Sequence, residues 1–172
     1  MIPAGWAHRD SPKRCRTLLK PVAESGLNVR LFSSRESVFR HTHQLRVRYS
    51  ESDRMGTFYN SRLLEWMEVG RSELTRAAGI PYVEWEKRGV MAPIVEANLK
   101  FRGRAGYDDL LNIETSCERE GRARIKFESV ITQGETGQPV AEGFTIHALT
   151  NPEGKPLRIP QWVNELLGDM TE

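Results

Sequence analysis

The stretch YSESDRMGTFYNSRLLEWMEVGRSEL, residues 49–74, changes its period halfway along, and that change decides the fold. Just before it, in HQLRVRYS, Leu45, Val47 and Tyr49 alternate with Gln44, Arg46 and Arg48, the two-residue period of a strand with one face buried. SDRMGT breaks the alternation. From Asn60 the period lengthens: Leu63, Leu64, Met67, Gly70, Leu74, Ala77 and Ala78 fall along one side of a helix, with Arg62, Glu65, Glu68, Ser72, Glu73 and Arg76 largely off it. Asn60 or Ser61 suits the N-cap, and Gly79 followed by Pro81 stops the helix. Gly70 lowers helix propensity inside the apolar stripe, so it predicts a close approach of helix to sheet.

Downstream, Tyr82 to Arg88 predicts a turn or two of helix ending before Gly89, and strands then follow one another. MAPIVEANLKF sets Val95, Ala97, Leu99 and Phe101 against Glu96, Asn98 and Lys100. LLNIETSCE puts Leu111, Ile113, Thr115 and Cys117 on one face, and RIKFESVIT does the same with Ile125, Phe127, Ser129 and Ile131. Val140 to Thr150 alternates more loosely, and Gln161 to Leu167 reads as a short amphipathic tail. The turns between these strands are short, which selects antiparallel pairing because parallel neighbours need long crossovers. The expected domain, residues 41–172, is α+β: a five-stranded antiparallel sheet wrapped around one long helix.

The chain of 172 residues has 25 Lys and Arg against 23 Asp and Glu, but the charge is unevenly placed. Residues 1–40 hold eight basic and three acidic side chains, leaving the remainder mildly acidic. That remainder lacks the clustered positive charge that phosphate neutralisation requires, so nucleic acid is not an expected partner. The leader has no periodicity and no apolar segment of secretory type; its composition fits a disordered extension or an organelle transit sequence. No apolar run is long enough to span a bilayer. Cys15 and Cys117 do not form a metal-ligand spacing or a disulfide scaffold, which points to a reducing, cytoplasmic setting.

Asp53 is the residue that could carry chemistry. It leaves a strand end, Gly56 permits a reversal, and a helix starts near Tyr59 to Ser61. The first N–H groups of a helix lack internal partners and carry the positive end of its dipole. They can stabilise charge developing on a carbonyl oxygen while a nearby carboxylate attacks its carbon or takes a proton from water. An Asp before a Gly-bearing turn also binds its own backbone N–H groups, so a purely structural turn role stands beside the chemical one.

The run RVRYSESDRMGTFYNSRLLEWMEVGR resembles the opening of the 4-hydroxybenzoyl-CoA thioesterase-like branch of the hotdog-fold acyl-CoA thioesterases. Tyr49, Asp53, Gly56, Tyr59, Glu68 and Arg71 fall on that pattern, and PIVEANLKFRGRAGYDDLLNIET resembles the family's second strand, turn and third strand. The likeness covers about residues 42–150. It implies a hotdog fold and hydrolysis of an acyl-CoA to a carboxylic acid and free coenzyme A. Asp53 would act as nucleophile or general base, and the amide of Asn60 would polarise the thioester carbonyl. Asn60 stands where the family usually has His or Tyr, so it could equally serve only as a cap. The resemblance implies a homodimer or homotetramer with shared sites, and no metal or bound cofactor. It also makes Tyr59, Arg102 and Arg104 candidate substrate contacts, the two arginines for coenzyme A phosphates. Glu51 is expected in solvent, and Glu68 and Arg71 are expected to pair with each other or with a neighbouring subunit. His147 reads as a strand histidine and Cys117 as a small buried hydrophobe. A non-catalytic acyl-thioester-binding or scaffold protein on the same fold is the alternative.

Overall fold

The computed structural model describes residues 39–167, all within one compact unit. The leader, 1–40, therefore lies almost wholly outside the described residues. Five strands form a single antiparallel sheet: β1 (Arg40–Arg46), β2 (Ile94–Phe101), β3 (Leu110–Arg119), β4 (Arg124–Gln133) and β5 (Pro139–Ala148), in spatial order β1-β3-β4-β5-β2. Helix α1 (Arg62–Ala77) packs across it, and two one-to-two-turn helices, α2 (Tyr82–Lys87) and α3 (Gln161–Leu166), close its far end.

The alternation in the two central strands fixes which face meets the helix. Leu111, Ile113, Thr115, Cys117, Ile125, Phe127, Ser129 and Ile131 are all buried, as their spacing predicts. Register pairs them directly across the strands, Ile113 with Ile131 and Thr115 with Ser129. Helix α1 answers with Leu63, Trp66, Met67, Gly70, Leu74 and Thr75, a broader buried arc than the apolar stripe alone, because the sheet curls around it. Leu64 and Ala77 lie on the exposed side instead. A Cβ at Gly70 would sit 2.4 Å from Thr115 Oγ1 and 2.9 Å from Ile113 Cγ2, so the helix touches β3 there through its backbone. Gly79, at φ +81°, ends the helix in the left-handed conformation that suits glycine.

Two strand expectations need correction. Strand β1 stops at Arg46, and Tyr49 leaves the sheet in a single 3₁₀ turn (Tyr49–Glu51) with 80% of its surface exposed. Strand β2 does not bury one clean face. It is an edge strand hydrogen-bonded only to β5, its register slips between Ile94 and Glu96, and Val95 and Phe101 are 55% and 46% exposed. Only Leu99 packs appreciably on the core.

The interior falls into two apolar clusters. One gathers Phe58, Leu63, Trp66, Met67, Leu111, Ile113 and Ile131 around the first half of α1. The other gathers Leu74, Trp85, Cys117, Ile125, Phe127 and Val163 around its second half. Between them runs a polar seam in which the Thr115 and Ser129 hydroxyls hydrogen-bond at 3.2 Å against Gly70. No described helix is long and apolar enough to cross a membrane.

Candidate active site

The segment after β1 folds back on itself. Ser52 and Phe58 form an antiparallel bridge, the Asp53 N–H donates to the Thr57 carbonyl at 2.7 Å, and the Tyr59 N–H to the Glu51 carbonyl at 2.9 Å. Gly56, at φ +71°, makes the reversal possible. Asp53 binds its own turn: Oδ1 accepts the Met55 N–H at 2.7 Å and the Thr57 N–H at 3.4 Å. The structural role is thus present. Asp53 Oδ2 makes no hydrogen bond among the described residues, so half of the carboxylate is held and half is available.

Glu51 is the residue that sequence reasoning misplaced. It is 6% exposed, not solvated. Its Oε2 accepts the Arg48 N–H at 2.7 Å and its Oε1 the Trp66 indole N–H at 3.3 Å. The Trp66 ring in turn packs on Phe58, 4.7 Å between centroids. A buried acid with two donors is a strut, and this one ties the turn to the first half of α1.

At the helix start, the Arg62 N–H donates to the Tyr59 carbonyl at 2.9 Å and the Leu63 N–H to the Asn60 carbonyl at 3.3 Å. The N–H groups of Asn60 and Ser61 have no acceptor among the described residues. The expected side-chain cap is not formed: Ser61 makes no capping hydrogen bond, and Asn60 makes no side-chain hydrogen bond among the described residues. Two unpaired amides therefore precede a 16-residue helix, a geometry suited to negative charge on a ligand oxygen. Tyr59 is half exposed beside them.

The β2–β3 loop closes on this turn. Phe101 lies 6.0 Å from Phe58 between ring centroids, Tyr107 meets Tyr49 edge to face at 5.4 Å, and a Cβ at Gly106 would sit 3.3 Å from the Gly56 carbonyl. Arg102 and Arg104 in that loop flank a surface hollow of about 560 Å³. Asp53 does not line that hollow, and the engagements of the two arginines differ. Arg102 pairs with Glu142 at 2.6 Å and holds that carboxyl below its usual range, whereas Arg104 offers its carbonyl to the Gln133 amide at 3.0 Å.

A second cavity, about 320 Å³, was not anticipated. It opens between the later half of α1, α2 and the start of β2, and neither Asp53 nor Asn60 lines it. Glu68, Arg71, Ser72 and Thr75 face it at i, i+3, i+4 and i+7, a polar stripe beside the apolar one that the sequence does show. Tyr82, Trp85, Phe127, Pro93 and Ile94 complete the wall. His147 at its base is 4% exposed. Its Nδ1–H donates to the Ala92 carbonyl at 2.7 Å and its Nε2 accepts from the Thr145 hydroxyl at 3.0 Å. Burial holds the imidazole neutral and, with a smaller contribution from Arg71 and against the hydrogen bond to Ala92, pushes its pKa down to about 4. With both nitrogens occupied, His147 is a strand histidine and not a base. Burial also lowers the Arg71 guanidinium from its ordinary range, against the attraction of Glu68 and Tyr82. Cys117 is a buried thiol pushed well above its usual pKa, which fits a packing residue. No group of three or more His, Cys, Asp or Glu among the described residues could hold a metal.

The profile of the thioesterase-like superfamily matches residues 47–167, and the chain belongs to that family of enzymes. A Bacillus subtilis protein named as a candidate acyl-CoA thioesterase is 37% identical over 75 residues, which are 44% of this chain and 54% of that relative. The 4-hydroxybenzoyl-CoA thioesterase of a Pseudomonas species is 29% identical over 126 residues, 68% of this chain and 87% of its own length. The crystal structure of a DHNA-CoA thioesterase from Staphylococcus aureus superposes with a TM-score of 0.69 at 25% identity, covering 75% of this chain and 89% of that one. The sheet around α1 is the hotdog fold these enzymes share.

Proposed function

We propose that this thioester hydrolase acts on acyl-CoA, releasing a carboxylic acid and free coenzyme A, with Asp53 as its catalytic carboxylate. The observation that carries the reading is the half-held state of Asp53: Oδ1 is fixed by Met55 and Thr57, and Oδ2 is left to react. The thioester carbonyl oxygen is set against the free N–H groups of Asn60 and Ser61, which stabilise the oxyanion as it forms. Asp53 either adds to the carbonyl carbon, giving an anhydride that water cleaves, or removes a proton from the attacking water. In both routes the carbon–sulfur bond breaks and the thiolate leaves as protonated coenzyme A. Arg102 and Arg104 flank the approach and supply cationic contacts for its phosphates, with Arg102 exchanging its bond to Glu142 for one to phosphate. Tyr59 lies beside the amides and borders the thioester.

The working unit of this reading is a homodimer or a homotetramer. Exposed Ile94, Val95 and Phe101 on the unpaired edge of β2 invite a second β2, since an open apolar edge recruits another strand. Antiparallel pairing would set Ile94 of one copy near Phe101 of the other, and Phe101 packs at the catalytic turn. The cavity of one subunit would then border the Asp53 turn of its partner. Its own Asp53 turn lies at the far end of α1, about 16 Å away by helical rise over eleven residues.

Thiol release from aryl, short-chain and long-chain acyl-CoAs tests the activity, and Asp53→Asn tests the residue. The substitution keeps size and turn hydrogen bonding, so folding should persist while kcat falls by about 10²- to 10⁴-fold, the range general acid–base groups supply. Wild-type turnover by the variant would remove Asp53 from the mechanism. Saturable binding of acyl-CoA without thiol release would make the chain a binding protein.

A further inference from the structure

The cavity beside the later half of α1 holds a guanidinium nitrogen that the fold leaves without a hydrogen bond. Thr75 donates to the Ser72 carbonyl at 3.0 Å, the Tyr82 hydroxyl accepts the Ala92 N–H at 3.0 Å, and both His147 nitrogens are engaged. Arg71 differs. Its Nη1 is buried and has no hydrogen-bond partner. Glu68, three residues before it on the same face, forms no ion pair with it within 4.0 Å among the described residues. A guanidinium withdrawn from water is stable only where something completes its hydrogen bonds, and a planar fork of N–H groups is matched by a carboxylate.

The remaining wall narrows the choice of ligand. Tyr82, Trp85, Phe127 and Ile94 give an apolar sleeve leading to Arg71. At about 320 Å³ the space is at the small end of ligand pockets, room for an acyl group and not for a whole coenzyme A. We infer that this cavity receives the distal part of the substrate's acyl group, and that Arg71 selects acyl groups ending in a carboxylate. The inference rests on the thioesterase reading and adds a substrate class to it. Arg71 binds the end remote from the thioester; Asp53 of the facing subunit acts on the near end.

Matched acyl-CoA pairs that differ only at that far end, carboxylate against methyl, test it on the full chain. Hexanedioyl-CoA against hexanoyl-CoA is one such pair, and shorter and longer pairs locate the best reach. The expected wild-type preference for the carboxylate in kcat/KM is about 10- to 100-fold, what a hydrogen bond to a charged group supplies. Arg71→Met should erase that preference mainly through KM, leave turnover of the methyl-ended partner in place, and leave the sedimentation mass unchanged. Arg71→Lys should restore part of it. No end-group preference in the wild type overturns the inference and leaves the thioesterase reading intact. Equal loss of both substrates in Arg71→Met, with a fall in mass or melting temperature, also overturns it, because Arg71 would then be a packing or interface residue. If no thioester is hydrolysed at all, the thioesterase reading fails by itself. Calorimetric binding of the same two ligands to wild type and Arg71→Met then decides the cavity: an Arg71-dependent preference for the carboxylate upholds it, and equal affinities overturn it.

Discussion

The two halves of the space between helix and sheet are finished to different degrees. Around the first half of α1, Phe58, Trp66 and Met67 fill the core, and the buried acid, Glu51, has two donors. Around the second half, the core recedes from a cavity, and Arg71 is half-buried with its Nη1 enclosed and unpaired. The polar ties of the first half are local in sequence: Glu51 reaches Trp66 across fifteen residues, and the Asp53 turn closes within six. The second needs α1, α2 and strands β2, β4 and β5 together. Local hydrogen bonds can make a rigid catalytic turn by themselves; a recess for substrate requires distant segments that stop short of one another. The rigid half suits chemistry, and the open half suits selection.

The contact between the halves gives the largest expected effect. Gly70→Val places a branched side chain where even a Cβ would meet Thr115 Oγ1 at 2.4 Å. The helix must lift from β3, opening the filled half and distorting the recess together. A loss of about 3–4 kcal/mol in urea unfolding is expected, at the upper end for overpacking. The small gain in helix propensity cannot offset it. A variant as stable as wild type would mean that α1 is not anchored at this point.

The pH dependence of stability isolates the open half. His147 is buried neutral with a pKa of about 4, against 6.5 when exposed. Its folded-state pKa is depressed, so the unfolded chain takes up its proton first as pH falls. Stability is therefore intact above pH 6.5 and is lost progressively down to about pH 4. The loss over that window is about 3 kcal/mol, and His147→Gln should remove that slope from the pH profile of unfolding. An unchanged slope would show that the imidazole is wetter than its hydrogen bonds to Ala92 and Thr145 imply.

The filled half has its counterpart in Glu51. Glu51→Ala strands the Arg48 amide and the Trp66 indole N–H, at a cost of about 2 kcal/mol. Because Glu51 lies two residues from Asp53, thioesterase kcat should fall as well, beyond what reduced stability explains. Loss of stability with unchanged kcat would separate the strut from the reactive turn.

How much of this is visible in the sequence follows the same division. Period alone places the inward faces of β3 and β4, since residues 111 to 117 and 125 to 131 alternate cleanly, and Gly70 in an apolar stripe announces its contact. Asp53 stands out because its spacing to the helix start is local. Glu51 does not, because an acid in a polar turn gives no sign that an indole fifteen residues later will bury it. Alternation in β2 looks like that of any half-buried strand, and nothing local says that it becomes an edge. The recess is harder still: Glu68, Arg71, Ser72 and Thr75 share a helical face, but a polar stripe reads as solvated until α2 and β2 roof it over.

The smallest effect tests the seam itself. Thr115 and Ser129 are cross-strand partners whose hydroxyls bond at 3.2 Å between the two apolar clusters. Thr115→Val keeps the shape and removes the bond, leaving the Ser129 hydroxyl buried without it, for a loss of about 1 kcal/mol. Ser129→Ala should cost a similar amount. In the double variant both polar groups are gone and the seam is apolar, so the losses should not add: the pair should cost less than the sum of the two. A coupling near zero would show that the hydroxyls do not depend on one another. Substantial coupling, with thiol release unchanged, would show that the two hydroxyls stabilise the seam as a pair and stand apart from the proposed chemistry of the first half.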